Sequence, residues 1–511
     1  MNHLLLLPVL IPLIAGGTLL LTGRWGRGTD RIISIVSTIA LLSVVLLLME
    51  HAATGEIMVY HSGNWPTPYG IVLVLDRLSA LMLCLAAILA LASLFYSING
   101  DDRIGPRFHL LFQMQLLGIN GAFLTGDLFN LFVFFEILLI ASYALQFHGG
   151  GKARVRAALH LVVLNLVGSA IFLIAIGAIY AATGTLNLAD LAVKVAATGT
   201  EQQLLLKAGG LLLLLVFSLK AALVPVGFWL PPAYASASAP AAALFAIMTK
   251  VGVYAILRMQ GLVFGPEAGP VASLLTPWLL PLGLITVVIA TLGVLASREL
   301  RRLLAHMVVL SAGTLILTLG LGSPDATSSA LFYALNSTLV GGGLFLLADL
   351  IAKERGDALA SLTLEQPVSR PALLGSLFFI GAIGVAGLPP LAGFAAKLYL
   401  LQSAVEHPIG AWVFAVVLVS GLLVVVALSR AGSAIFWRTG NTQKLTSSTT
   451  ALQSVATAAL LLGSAALMIG AGATTSYTRA AALQLDDQVA YVSAVLENRV
   501  IVASGSVSGE P

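Results

Sequence analysis

Four ionisable side chains lie where hydrocarbon should surround them. Glu136 sits in DLFNLFVFFEILLIASYAL, Lys220 in LLLLLVFSLKAALVPVGFWL, Lys250 in ALFAIMTKVGVYAIL and Lys397 in GLPPLAGFAAKLYLLQ. An acid or amine at the centre of a spanning helix costs roughly 2.5–3.5 kcal/mol on insertion scales, so its default reading is functional. One such residue could be an accident of packing. One acid with three amines is a series that can trade protons. A low-dielectric interior favours a neutral amine, whereas a nearby carboxylate favours the ammonium. A transporter can use that opposition: Glu136 close by keeps a proton on Lys220, and Glu136 withdrawn or neutralised releases it along the membrane plane. Lys250 follows one span later, and His306, in LRRLLAHMVVLSAGTL, carries an imidazole that titrates near pH ~6.5 when unperturbed. Lys397 closes the line in the second half. Ser218, Thr249, Ser311, Asn336, Ser337 and Thr338 are polar groups at membrane depth that could order water between these residues.

Each residue has a plainer reading. Glu136 and Lys220 could be a structural ion pair, although apolar replacements of such pairs are often neutral or stabilising. Lys250 could snorkel, but it lies centrally in its run. His306 is five residues past Arg301, so an interfacial histidine and a relay member remain open alternatives. Asp127 and Asn130 open a span and could cap it. Asp76 with Arg77 reads as a structural pair, and Asp349 as interfacial. Asp127, Glu136 and broken-helix carbonyls are candidate sodium ligands only because hard cations take oxygen donors.

Positioning these groups falls to a polytopic bundle. Of 511 residues, 59% are hydrophobic and 9% charged, against about 25% charged in soluble domains. Apolar runs of membrane-spanning length recur throughout, giving an all-α membrane protein of about fourteen transmembrane helices. The single cysteine, Cys84, excludes an intramolecular disulfide and a cysteine-rich metal site. The N-terminal apolar stretch reads as a retained first span rather than a signal peptide. With the N-terminus outside, seventeen of the 26 Lys/Arg residues fall in inner loops and five in outer segments, Arg258 among the latter. The remaining four lie within spans. Both termini are therefore expected outside. The net charge of +4 follows this topology and gives no indication of nucleic acid as a partner.

Two spans carry breaks. Pro225, Pro231 and Pro232 follow Lys220 in the seventh, and Gly387-Leu388-Pro389-Pro390 precedes Lys397 in the twelfth. Prolines cannot donate backbone hydrogen bonds, and paired broken segments in two halves point to an inverted repeat around an ion site. The pairing is spans four to eight with nine to thirteen, alike in kind rather than register. The expected organisation is 1–106 for spans one to three, 107–258 for the first repeat, 275–438 for the second, 439–472 for the last span and 473–511 for an external polar tail. In that tail, TRAAALQLDDQVAYVSAVLENRV is mildly amphipathic and could lie on the surface or against a partner, while ASGSVSGEP is expected to be disordered.

GDLFNLFVFFEILLIASYAL, LKAALVPVGFWLPPAYASASAPAAALFAIMTKVGVYAILR and GLPPLAGFAAK resemble the antiporter-like membrane subunits of respiratory complex I, membrane-bound hydrogenases and Mrp-type cation/proton antiporters. The segment around Glu136 is most similar to the D-type subunits of the Mrp (Mnh or Pha) branch. The resemblance implies fourteen helices with two inverted five-helix repeats and broken seventh and twelfth helices. It also implies a functional Glu on the fifth helix and Lys on the seventh, eighth and twelfth, matched by Glu136, Lys220, Lys250 and Lys397. For the Mrp branch it implies proton movement coupled to sodium export in the bacterial inner membrane, beside other hydrophobic subunits. Relatives often place a histidine where Asn336 stands; asparagine cannot titrate near neutral pH, and His306 could act as the central titratable group instead.

No Rossmann fingerprint, Walker motif or quinone site stands out, so no cofactor and no independent catalyst are expected. The alternatives are a proton-pumping subunit of complex I or a hydrogenase, and a scaffold that no longer transports.

Overall fold

The computed structural model describes residues 2–356, 360–363, 366–438 and 449–496. The chain is nearly all helical. Helices α1 (Leu7–Thr22) and α2 (Arg27–Ala53) are followed by a small antiparallel hairpin, β1 (Met58–His61) with β2 (Val72–Leu75), in the register Met58 opposite Leu75. In the sequence, the apolar run from residue 70 onward reads as the start of a span. Instead β2 pairs with β1, and α3 (Arg77–Ser97) starts at Asp76, which caps it reciprocally with Ser79.

Next come α4 (Phe108–Leu124), α5 (Leu128–Phe147), α6 (Lys152–Thr183), the short α7 (Leu188–Ala196) and α8 (Gln203–Lys220). Three short helices follow: α9 (Leu230–Ser236), α10 (Ala239–Phe245) and α11 (Met248–Arg258), the last continued by a π-helical turn over Met259–Val263. The second half contains α12 (Thr276–Ala296), α13 (Leu300–Leu319), α14 (Pro324–Arg355), α15 (Pro371–Ala386), α16 (Ala392–Ala404) and α17 (Gly410–Gly432). The described chain ends with α18 (Ala451–Ile469), α19 (Ala471–Asp486) and α20 (Gln488–Leu496).

Among the described residues, 12 helices are long and apolar enough to cross a membrane, with shorter apolar helices at Phe108–Leu124 and Pro371–Ala386. The chain is a multi-pass membrane protein. Ile174 on α6, Leu292 on α12 and Leu422 on α17 are exposed apolar side chains, as a lipid-facing surface requires. By contrast, α11 is buried all round, and α14 nearly so, packed by α10, α13, α15, α16, α18 and α19. Small residues let helix backbones approach: a Cβ on Gly118 of α4 would lie 2.5 Å from the Leu138 nitrogen of α5.

The amphipathic C-terminal stretch folds back onto the bundle. Gln484 of α19 accepts from the Arg77 amide and donates to the Gly55 carbonyl, both at 2.9 Å, and the Tyr477 hydroxyl donates to the Arg77 carbonyl at 3.1 Å. The ASGSVSGEP end lies outside the described residues.

Candidate functional site

All three candidate lysines sit at interruptions of helices. Lys220 is the last residue of α8, and the chain runs irregularly over 221–229 before α9 begins. Unwound backbone at membrane depth must be satisfied by protein or water. Here Trp229 Nε1 donates to the Leu219 carbonyl at 3.0 Å, Thr286 Oγ1 of α12 accepts from the Val224 amide at 3.1 Å, and the Leu223 amide donates to the Ser218 carbonyl at 2.9 Å. Gly227 is required by the fold of this turn, since a Cβ there would stand 2.1 Å from the Ala222 carbonyl oxygen.

The second gap, over 387–391, parts α15 from α16. Gly387 takes a left-handed conformation with φ of 77° and caps α15 by donating to the Ile383 carbonyl at 3.0 Å. Lys397 reaches back across the gap: its Nζ donates to the Ala386 carbonyl at 2.6 Å, at the carbonyl end of a half-helix where the helix dipole favours positive charge.

A third interruption carries no proline or glycine signal at its own position. Helix α10 stops at Phe245 and α11 starts at Met248, which puts Lys250 in the first turn of a new helix. The Lys250 Nζ donates to Ser311 Oγ of α13 at 2.9 Å. Gly252 presses α11 onto the end of α8, where a Cβ would meet the Ala221 nitrogen at 2.5 Å and the Lys220 carbonyl carbon at 2.9 Å. The backbones bearing Lys220 and Lys250 are thus in direct contact.

Glu136 projects from α5 toward α6, where the Ser169 hydroxyl donates a short hydrogen bond to its Oε1. Glu136 lies within electrostatic reach of the Lys220 amine, yet the two form no direct ion pair. Among the described residues, the Lys220 Nζ has no protein hydrogen-bond partner, and it stands 5.8 Å from the Phe135 ring centroid, a cation–π distance. Ser218 Oγ, Thr249 Oγ1 and Thr338 Oγ1 are also buried without a protein partner. Asn336 is engaged: its Nδ2 donates to the Gly384 carbonyl at 3.1 Å, and its Oδ1 accepts from Ser464 of α18 at 2.6 Å. The His306 ring is half-buried against Gly293 of α12, and it is Ser311, not His306, that meets the Lys250 amine.

Residues 125–424 match the family described as "NADH:quinone oxidoreductase/Mrp antiporter, TM", a stretch that contains Glu136, Lys220, Lys250, His306 and Lys397. The chain is 43% identical over 470 residues to the D-type subunit of a probable K(+)/H(+) antiporter from Rhizobium meliloti (strain 1021), covering 86% of this chain and 87% of that one. This chain belongs to the D-type subunit family of Mrp antiporters. A second member, the D-type subunit of a Na(+)/H(+) antiporter from Alkalihalophilus pseudofirmus, is 37% identical over 446 residues, with coverage of 86% and 87%. A chain in the Mrp complex from Dietzia sp. DQ12-45-1b superimposes with a TM-score of 0.86 at 26% identity, covering 97% of this chain and 100% of that one.

In this family member, several sequence expectations need correcting. Asp76 pairs with Arg258, not Arg77: the Arg258 guanidinium reaches both Asp76 oxygens, at 2.5 and 2.6 Å, and lies over the Tyr254 and Tyr491 rings. Arg258, counted with the outer segments, is buried at the end of α11, while Arg77 donates to the Ala53 carbonyl at 3.0 Å. A buried arginine needs a partner, and no spacing rule connects residues 182 positions apart. Asp127, by contrast, does cap α5 as its position suggests, accepting from the Asn130 amide at 2.7 Å.

At the end assigned to the inside, Lys353 bridges Asp349 at 2.7 Å and Asp101 at 3.2 Å, and Tyr96 donates to Asp349 at 2.8 Å. Burial, reinforced by the Asp349 carboxylate, pushes Asp101 up to about 6 despite Lys353. Burial also works against the neighbouring Asp102 charge, but hydrogen bonds from His109 and Arg31 outweigh it and hold that carboxyl below its usual range.

The sequence reading did not single out Ser169. A signal existed: Asn165 and Ser169 are polar residues at i, i+4 in the apolar run LVVLNLVGSAIFL.

Proposed function

We propose that this chain is the proton-translocating subunit of a multisubunit sodium/proton antiporter, a secondary transporter in the bacterial inner membrane. Its path runs through Glu136, Lys220, Lys250, His306 and Lys397. The observation that carries the reading is the Lys220 amine, buried with no protein hydrogen-bond partner among the described residues, as are the hydroxyls of Ser218, Thr249 and Thr338. Leaving a buried polar group unsatisfied costs about 1–3 kcal/mol, so water is the partner these atoms call for. A path that admits water between titratable groups conducts protons. Glu136 supplies the opposite charge nearby, and the contact between α11 and the end of α8 keeps Lys220 and Lys250 in sequence.

The names borne by the relatives favour cation/proton exchange over redox-driven pumping. We further propose fourteen spans with two inverted repeats, spans four to eight and nine to thirteen, and both termini outside. The twelve long and two shorter apolar helices support that count.

The test uses everted vesicles containing the complete complex, in which sodium addition dissipates an imposed pH gradient. Glu136→Ala and Lys220→Ala should each abolish the response at normal protein abundance. Wild-type dissipation in both would remove the mechanism.

A further inference from the structure

A groove runs between α15 and α17. It encloses about 790 Å³ and extends from Pro371, at the start of α15, past Ala386 at its end to Leu388 in the break. The 16 residues of α15 cover about 24 Å at ~1.5 Å per residue, most of a hydrocarbon core of about 30 Å. Small residues open the groove. A Cβ on Gly375 would meet nothing nearer than the Phe436 ring, at 3.8 Å. The floor is closed where the two helices touch: a Cβ on Gly432 would stand 3.0 Å from the Phe378 ring, and the Phe378 and Phe436 rings pack 5.7 Å apart. A slot that narrows onto touching helices admits a slim chain rather than another helix, about 10–12 Å across.

Polarity along the groove is graded. Its hydroxyl-bearing residues, Ser376, Ser429 and Ser433, lie toward the end marked by Pro371 and Trp437, whereas Ala382, Ile383, Ala386 and Leu388 line the other end with no polar side chain. At the polar end Trp437 and Arg438 are both exposed, and a tryptophan beside a basic residue at the end of an apolar helix marks the headgroup level. Arg430 spends its guanidinium on the Leu295 and Ser297 carbonyls, and neither Arg430 nor Arg438 meets a carboxylate among the described residues. Positive charge left without an acid at this depth attracts anionic headgroups.

We propose that this groove seats an acyl chain of an anionic phospholipid from the leaflet at the Trp437 end. The phosphate lies at Arg438, the ester region beside Ser429 and Ser433, and the chain runs past Gly375 toward the break. There the Ile383 carbonyl accepts from the Gly387 and Leu388 amides at 3.0 and 3.1 Å, and the Ala386 carbonyl accepts from Lys397. An apolar chain on this side excludes water, and the lower local dielectric strengthens those bonds. The lipid site needs only that the chain spans a membrane, so it stands apart from the proton-axis reading above.

The test uses the complete complex in phosphatidylcholine vesicles containing a trace of phosphatidylglycerol with a photoactivatable diazirine in its acyl chain. A phosphatidylcholine carrying the same diazirine is run in parallel. After irradiation, peptides from 371–388 and 425–437 should carry about fivefold more of the phosphatidylglycerol probe, equivalent to ~1 kcal/mol for one basic group at the surface. Arg438→Gln should remove that preference, and Gly375→Trp, which fills the groove, should abolish labelling of both peptides by either probe. Abundance of the assembled complex is measured throughout, so a Trp variant that fails to assemble leaves the decision to Arg438→Gln and the headgroup comparison. Absence of label from both helices in the wild type means that protein covers the groove, and overturns the proposal. Equal labelling by the two headgroups, or a preference that survives Arg438→Gln, overturns it as well.

Discussion

Asn336 of α14 holds the broken helix at Gly384: its amide donates to the Gly384 carbonyl at 3.1 Å while its Oδ1 accepts from Ser464 at 2.6 Å. One side chain therefore ties α14 to α15 and α18 beside the gap that Lys397 closes. Gly393 on the far side of the gap comes close enough that a Cβ there would lie 1.9 Å from the same Gly384 oxygen. At this site the asparagine is a staple between three helices.

Asn336→Ala should accordingly damage stability more than a surface change would. It leaves two buried groups, the Gly384 carbonyl and the Ser464 hydroxyl, short of a partner, at about 1–3 kcal/mol for each that stays unsatisfied. Thermal unfolding of the purified complex should show a lowered midpoint. Asn336→Ala with an unchanged midpoint would mean that water replaces the amide without loss.

Gly252 tests the contact between the two lysine-bearing segments. Its Cβ position is blocked by backbone atoms of Lys220 and Ala221 at 2.9 and 2.5 Å, which cannot rotate aside. Gly252→Ala should push α11 off the end of α8 at a cost of about 1–3 kcal/mol, the usual range for overpacking, and reduce proton-coupled transport. Gly177→Ala, at a helix position with nothing within 4 Å, is the control and should transport as the wild type does. Equal transport by both variants would show that the spacing of Lys220 and Lys250 is not critical.

Asp101 gives the end of the bundle around Lys353 and Asp349 a pH dependence. Burial and Asp349 raise this carboxyl from 3.8 to about 6, so between those values the folded state binds more protons than the unfolded chain. Stability then falls as pH rises: the contribution is complete below 3.8, declines through about 6, and is flat above. Asp102, held low by His109 and Arg31, has the opposite sign and loses its contribution as pH falls below the usual carboxylate range. Unfolding midpoints of Asp101→Asn, measured from pH ~4 to ~7, should lack the decline that the wild type shows in the lower part of that window, up to about 6. An unaltered slope would assign the titration elsewhere.

Much of this architecture was legible because a membrane imposes one dominant constraint. Each span must be apolar and helical, so the charged exceptions Glu136, Lys220, Lys250 and Lys397 announced themselves, and prolines and glycines marked two of the three breaks. The interruption at Ala246 and Ile247 did not, since alanine and isoleucine are ordinary helix residues and both keep right-handed helical dihedrals. Pairings between distant segments were equally invisible: Asp76 with Arg258, Lys250 with Ser311, and Glu136 with Ser169 join residues that only the folded bundle brings together. Local pattern pointed Asp76 toward its neighbour Arg77, whereas the tertiary field chose the buried arginine at the end of α11. The β1–β2 hairpin was missed for a related reason, because IVLVL reads as the start of a span until β1 supplies its partner strand.

Ser169 and Ser311 each give one candidate proton carrier its nearest hydroxyl, and they separate positioning from proton transfer. Ser169 donates to Glu136, so Ser169→Ala should free the carboxylate from α6 without removing any titrating group; Ser169→Thr keeps a hydroxyl there. Ser311→Ala removes the hydrogen bond at the Lys250 amine, at a cost of about 1–3 kcal/mol for leaving it unmet. If these hydroxyls only position their partners, both Ala variants should transport sodium and protons at a reduced rate with a shifted pH optimum, and Ser169→Thr should recover the wild-type profile. Initial rates of sodium-driven pH-gradient dissipation, measured across a pH series in everted vesicles, distinguish this from a purely structural role. A structural role would lower the amount of assembled complex and leave the pH profile of what remains unmoved.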